Sequence, residues 1–133
     1  MNYKIFDFQV YGDERGNLLP IEGNIDIPFE IKRVYCIYDT KPEVIRGEHA
    51  HSTLEQVIVC LHGSCTFILD DGENKEEVHL YRPDKALYIG KNMWRSMHDF
   101  AYGSVLMVLA NEHFNNEEYI RNYNDFLESL NND

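Results

Sequence analysis

The sequence predicts an all-β fold: a sandwich or barrel of short antiparallel strands, finished by one C-terminal α-helix. Three observations predict it. Runs of four to eight β-favouring residues recur from residue 4 to residue 110, separated by Gly, Asp, Asn and Pro. One of these runs, Gln56-Val57-Ile58-Val59-Cys60-Leu61, is almost entirely apolar, as a strand buried on both faces must be. The hydrophobic period changes from two to 3.6 only after residue 115. At 133 residues and 15.7 kDa, the chain has the length of one domain.

The first run, residues 4–11, stops at Gly12-Asp13-Glu14-Arg15-Gly16-Asn17, and residues 18–21 form a short second one. Residues 29–38 alternate, with Ile31, Arg33, Tyr35 and Ile37 on one face and Lys32, Val34, Cys36 and Tyr38 on the other. After the buried run at 56–61, residues 64–69 and 76–81 flank Asp70-Asp71-Gly72-Glu73-Asn74, a hairpin turn signal. Residues 86–89 and 104–110 complete the set, and short strands so closely spaced point to a sandwich or barrel. In the tail, Tyr119, Ile120, Tyr123, Phe126, Leu127 and Leu130 fall at helical spacing. Asn115 or Asn116 is placed to cap that helix, with Glu117 and Glu118 in its first turn, and the stripe is expected to pack on the outside of the sandwich.

Charge narrows the function. Twelve Lys and Arg against 23 Asp and Glu give a net charge of −11, a surface that repels nucleic acid and anionic lipid. No apolar run approaches the roughly 20 residues that a membrane-spanning helix needs. The N-terminus enters alternating apolar residues directly, without a signal peptide's apolar block, so a soluble cytoplasmic protein is expected. Cys36, Cys60 and Cys65 form no C-x-x-C pair and lie in apolar surroundings, which predicts three small buried hydrophobes.

The chemistry concentrates at Arg46-Gly47-Glu48-His49-Ala50-His51. In an extended segment, residues two apart share a face, so His49 and His51 look into one cavity. Two adjacent imidazoles suit either metal binding or proton transfer between neighbouring atoms of a substrate. His49, His51 and Glu55 would supply a two-His, one-carboxylate iron set, with His98 or His113 as possible substitutes. His62 and His79 read as solvated or structural.

Gly47, the His49-x-His51 pair, Glu55 and Gly63 resemble the first motif of the cupin superfamily, small jelly-roll β-barrels. Where metal-binding cupins carry a further histidine in a second motif, this chain has Trp94, whose indole nitrogen only donates. A narrower resemblance spans nearly the whole chain. It is carried by Pro28-Phe29-Glu30-Ile31-Lys32-Arg33-Val34-Tyr35, Arg46-Gly47-Glu48-His49-Ala50-His51, Gly63-Ser64-Cys65, Leu69-Asp70-Asp71-Gly72, Tyr88-Ile89-Gly90, Trp94-Arg95-Ser96-Met97-His98-Asp99-Phe100 and Tyr119-Ile120-Arg121-Asn122-Tyr123. These blocks are similar to the 3,4-ketoisomerases that act on dTDP-4-keto-6-deoxyglucose in deoxysugar biosynthesis.

That resemblance implies one cupin domain over residues 1–133, with strands over about 3–110 and a helix over about 116–130. It implies no metal and no cofactor, and a homodimer with exchanged N-terminal strands. The 3-keto product would feed an aminotransferase making a 3-amino sugar for lipopolysaccharide or another surface glycan. The chemistry asks for two groups of near-neutral pKa over adjacent carbons, and a His pair meets that demand. The resemblance assigns His51 to deprotonation at carbon 3 and His49 to protonation at carbon 4, although spacing alone leaves the reverse order open. Tyr35 is expected to hydrogen-bond the enediolate. Arg46 is expected on the diphosphate, with Arg33 and Arg95 as further guanidinium contacts, Trp94 stacking on thymine or sugar, and Arg15 reaching the pocket from its turn. The face of reprotonation at carbon 4 would depend on pocket residues such as Asn17 and Arg95. The other readings are the iron-dependent cupin oxygenase and a non-catalytic sugar-nucleotide-binding cupin.

Overall fold

A computed structural model describes residues 1–131 of the chain. In chain order its elements are β1 (Tyr3–Asp7), β2 (Tyr11–Asp13), β3 (Gly16–Leu18), β4 (Arg33–Tyr38), β5 (Arg46–His51), β6 (Gln56–His62), β7 (Cys65–Asp70), β8 (Lys75–Leu80), β9 (Lys85–Ile89), β10 (Trp94–His98), β11 (Val105–Ala110), β12 (Tyr119–Ile120) and α1 (Tyr123–Leu130). A single 3-10 turn, Asn116–Glu118, precedes β12. One five-stranded sheet runs β1-β9-β6-β11-β4, a second runs β12-β5-β10-β7-β8, and β2-β3 stand apart as a hairpin. All these strand pairs are antiparallel.

The two sheets face each other across one apolar layer. Ile37, Ile58, Leu87 and Leu106 of the first sheet meet Phe67, Leu69, Val78 and Met97 of the second. Each such side chain contributes about 1.5–3 kcal/mol by leaving water. The run at 56–61 is continuous because β6 is central and covered on both sides. Ile58 and Cys60 enter the layer between the sheets. Val57 and Val59 face outward beneath Phe8, Ile27 and Phe29, contributed by the N-terminal chain. This jelly-roll sandwich is the all-β architecture that the strand pattern predicts.

Two expectations change. The tail is not helical from 116: Asn115 caps only the 3-10 turn, its side chain accepting from the Glu117 N–H. The chain then extends so that Tyr119 and Ile120 pair with His51 and Ala50, completing the edge of β5. Asn122 caps the true helix by accepting from the Asp125 N–H. Edge pairing wins over helical periodicity at 119–120, and the buried face of α1 narrows to Phe126, packed against Trp94 at 5.9 Å. Cys60 and Cys65 are buried as expected, but Cys36 is exposed. It lies on the outer face of β4, an edge strand, beside the exposed Val34 and Tyr38.

Candidate active site

The site is built on β5 and β10. Along β10, residues alternate: Arg95 and Met97 are buried, while Trp94, Ser96 and His98 are only partly so. The β5–β10 register pairs Arg95 with His49, Ser96 with Gly47 and Met97 with Arg46, leaving Glu48 as an extra residue in a bulge. Gly47 and Glu48 take φ values of 84° and 56°, the left-handed turn that makes the bulge. A Cβ on Gly47 would come 3.1 Å from the Arg95 carbonyl. In a straight strand Arg46 and His49, three apart, would face opposite ways. The bulge moves Arg46 to the same side as His49, and both line one pocket.

His49 and His51 come together as expected, their ring centroids 4.7 Å apart and their planes at 82°. His51 has no exposed surface. Its Nδ1–H donates to the carboxylate of Glu118, itself buried in the 3-10 turn. Its Nε2 has no hydrogen-bond partner among the described residues. Burial, then the Arg95 guanidinium and His49, hold His51 far below the ordinary histidine range. His49 is lowered to about 4, first by burial and then by Arg95, although a hydrogen bond with the Gly47 backbone acts in the opposite sense. Burial raises the Glu118 carboxyl. At neutral pH both imidazoles are therefore uncharged and available as bases. The Tyr119 ring lies against both, at 5.1 Å from His49 and 4.4 Å from His51.

Arg95 is 2 % exposed, a buried cation. Its Nη1 donates to Gln56 Oε1 at 2.6 Å and its Nη2 to the Met93 carbonyl at 3.0 Å. Its Nε has no partner among the described residues. Gln56 Nε2 in turn donates to the Tyr35 hydroxyl at 2.8 Å, so Arg95 and Tyr35 are held through one amide. Burial raises the Tyr35 pKa, keeping its hydroxyl proton in place as a donor. A buried guanidinium without a carboxylate is costly, and it favours any negative charge that forms beside it.

The pocket over these groups measures about 460 Å³ and is lined in part by Arg33, Arg46, Arg121 and Phe114. The Arg33 guanidinium stacks over Tyr35 and Phe114 at 5.3 and 5.6 Å, and Arg121 stacks over Tyr119 at 4.5 Å. Among the described residues, none of Arg33, Arg46, Arg95 and Arg121 forms an ion pair. In a chain with 23 acidic residues, three arginines without ion pairs around one pocket, Arg33, Arg46 and Arg121, make a local cationic site suited to phosphate, with Arg95 lining the narrower space beside it.

Other expected residues lie elsewhere. Trp94 is on the opposite face of β10 from Arg95, where it packs edge-on against Tyr123 at 5.3 Å. Neighbouring residues of a strand cannot both face the same cavity. Arg15 sits at the tip of the β2–β3 hairpin, its side chain 86 % exposed and paired with Asp13, outside the pocket of its own chain. Asn17 lies on the same exposed hairpin. Glu55 does not join the histidines: its carboxylate accepts from the Tyr88 hydroxyl and from Asn111 Nδ2. His98 faces outward with Nε2 2.7 Å from Ser96 Oγ, and His113 is exposed. The proposed iron set of His49, His51 and Glu55 is therefore not assembled. Among the described residues, no group of three His, Cys, Asp or Glu is placed to hold a metal ion.

Glu118, Tyr119, Arg121 and Gln56 belong to the site but were not legible as such. Glu118 reads in sequence as a first-turn acid of a helix, and only the strand pairing of Tyr119 with His51 brings it inward.

Comparisons with known proteins follow the same lines. Residues 1–131 match the family described as FdtA, WxcM-like, C-terminal. The chain is 51 % identical over 126 residues to a TDP-4-oxo-6-deoxy-alpha-D-glucose-3,4-oxoisomerase of Aneurinibacillus thermoaerophilus, covering 95 % of this chain and 91 % of that one. It superposes with a TM-score of 0.96 on a 3,4-ketoisomerase from Helicobacter canadensis, at 52 % identity and 98 % coverage of both chains. It superposes equally well, at 0.96 and 42 % identity, on QdtA, a sugar 3,4-ketoisomerase from Thermoanaerobacterium thermosaccharolyticum in complex with TDP, covering 98 % of this chain and 96 % of that one.

Proposed function

The chain belongs to the FdtA, WxcM-like C-terminal family of sugar 3,4-ketoisomerases, and we propose that it converts dTDP-4-keto-6-deoxyglucose to a dTDP-3-keto-6-deoxyhexose by proton transfer through an enediol. The observation that carries this reading is the neutral His49–His51 pair beside the buried Arg95. The reaction moves a carbonyl by one carbon. His51 Nε2 takes the carbon-3 proton, acidified by the neighbouring ketone, and Glu118 stabilises the imidazolium that results. Negative charge gathers on the carbon-4 oxygen, where Arg95 and the Tyr35 hydroxyl donate to it. The carbon-3 hydroxyl proton passes to the carbon-4 oxygen, and the His51 imidazolium gives its proton up to solvent. His49, protonated from solvent in the same turnover, delivers a proton to carbon 4, so that both imidazoles end neutral as they began. Oxidation at carbon 3 balances reduction at carbon 4, so no external electron acceptor enters the balance.

Arg46 and Arg33 bind the diphosphate, with Arg121 as a third cation at the same mouth. The active form is a homodimer exchanging its N-terminal segment. The β2–β3 hairpin supports this: all its residues are exposed, including Tyr11 and Leu18 at 61 % each, and an isolated two-stranded hairpin is marginal in water. In such a dimer Arg15 serves the partner subunit's pocket. The 3-keto product is the substrate of an aminotransferase that makes a 3-amino-3,6-dideoxy sugar for a surface glycan, and a cytoplasmic location suits a nucleotide-linked sugar. No described helix is long and apolar enough to cross a membrane.

The test is incubation of the purified protein with dTDP-4-keto-6-deoxyglucose, followed by carbon NMR. A carbonyl that migrates from carbon 4 to carbon 3 supports the reading; a carbonyl that stays at carbon 4 defeats it.

A further inference from the structure

Gln56 opens β6 and, by strand parity, shares the inner face of Ile58 and Cys60, where it is 2 % exposed. It touches Tyr35 on β4, in its own sheet, and Arg95 on β10, in the opposite one. The orientation of its amide follows from chemistry alone. A guanidinium has no acceptor, so the atom 2.6 Å from Arg95 Nη1 is the amide oxygen. The amide nitrogen therefore faces the Tyr35 hydroxyl at 2.8 Å, and that nitrogen only donates. Tyr35 is thus the acceptor in this contact, and its own proton is left over. Among the described residues the Tyr35 hydroxyl has no second partner, and the buried Arg95 Nε has none at all. Tyr35, Gln56 and Arg95 line one chamber of about 20 Å³ together with His49.

Resting on the ketoisomerase reading, we propose that Gln56 is a positioning residue, whose neutral amide directs the Tyr35 proton to the carbon-4 oxygen while holding Arg95 beside it with its charge uncompensated. Glutamate has nearly the same size but accepts only. In place of Gln56 it would draw the Tyr35 proton to itself. It would also pair with Arg95 and cancel the charge that favours the enediolate. The site therefore needs an amide at this position, one that accepts on the arginine side and donates on the tyrosine side.

The experiment measures kcat and KM for dTDP-4-keto-6-deoxyglucose in the native protein, Gln56→Glu, Tyr35→Phe and the double variant. Calorimetry gives dTDP affinity, and circular dichroism reports folding. Gln56→Glu should lower kcat by about 100-fold or more, the effect of losing an oxyanion donor, with KM and dTDP affinity within a few-fold of native. Part of that loss acts through the Tyr35 hydroxyl, so the same substitution should cost about fivefold less in the Tyr35→Phe background. A residue that only supports the fold would cost the same in both backgrounds. If Gln56→Glu does not fold, Gln56→Leu takes its place in the same cycle, with the same coupling to Tyr35→Phe expected. Native kcat in the folded Gln56 variant, or equal costs in the two backgrounds, overturns the proposal. A native protein that moves no carbonyl defeats the functional reading, and this inference with it.

Discussion

Glu118 lies 67 residues beyond His51 in the chain, yet its carboxylate accepts the Nδ1–H hydrogen bond of that imidazole inside the barrel. The contact decides the tautomer. With Nδ1 protonated and directed at Glu118, the Nε2 carries the lone pair and has no hydrogen-bond partner among the described residues. In the proposed reaction this arrangement would serve a base twice, by orienting the ring before proton transfer and by stabilising the imidazolium afterwards.

Glu118→Gln should therefore lower kcat steeply, by about 100-fold or more, because an amide no longer selects that tautomer. KM should change only a few-fold. Steady-state kinetics separate the two, and a variant with altered KM and native kcat would show that Glu118 merely supports the fold.

Arg46 reaches the pocket only because Glu48 bulges out of β5. Arg46→Ala should weaken dTDP binding by about 1.5–3 kcal/mol, the worth of a charge-assisted hydrogen bond, with little effect on folding. Deleting Glu48 removes only the extra residue and leaves Arg46 and His49 two apart on one face, so it should keep dTDP binding within a few-fold of native. Titration calorimetry measures both; tight dTDP binding by Arg46→Ala would remove Arg46 from the phosphate site.

Trp94→Ala should cost stability, about 3 kcal/mol, since Trp94 anchors α1 through Tyr123 and Phe126. Affinity for dTDP should stay native. Urea melts and calorimetry decide, and the reverse pattern would place Trp94 back against the ligand.

Strand parity explains what could be read in advance and what could not. The continuous apolar run at 56–61 and the alternation of Arg33, Tyr35 and Ile37 are local signals, and both survive folding because β6 is central and β4 has one wet face. The His49-x-His51 pair is equally local. Trp94 and Arg95 were both expected in the pocket, although neighbours in a strand point apart; the period of two already contained that objection. Glu118 and Arg121 are a different case. They enter through β12, a two-residue strand whose apolar pair also fits a helical stripe, and only the unpaired edge of β5 selects the extended form. The bulge at Glu48 is likewise set by its long-range register with β10.

The depressed histidines predict how stability responds to acid. His49 ionises near 6.5 when unfolded and near 4 when folded. Between those values the unfolded chain holds more protons, so stability falls as pH drops through that window, by up to about 1.4 kcal/mol per unit for each such histidine. Glu118, raised by burial, acts in the opposite sense. His49→Gln isolates the histidine contribution: its loss of stability between pH 7 and pH 5 should be smaller than the native protein's. An equal or larger loss would mean that His49 titrates normally in the fold.

The most direct measurement is proton NMR of dTDP-4-keto-6-deoxyglucose in deuterated buffer with the native protein and His51→Asn. The native protein should give carbonyl migration with solvent deuterium exchange. His51→Asn should retain the carbon-3 proton together with nearly native dTDP binding. Loss of the carbon-3 proton at the native rate in His51→Asn would contradict the proposed reaction, as would exchange at carbons 3 and 5 by the native protein without migration of the carbonyl.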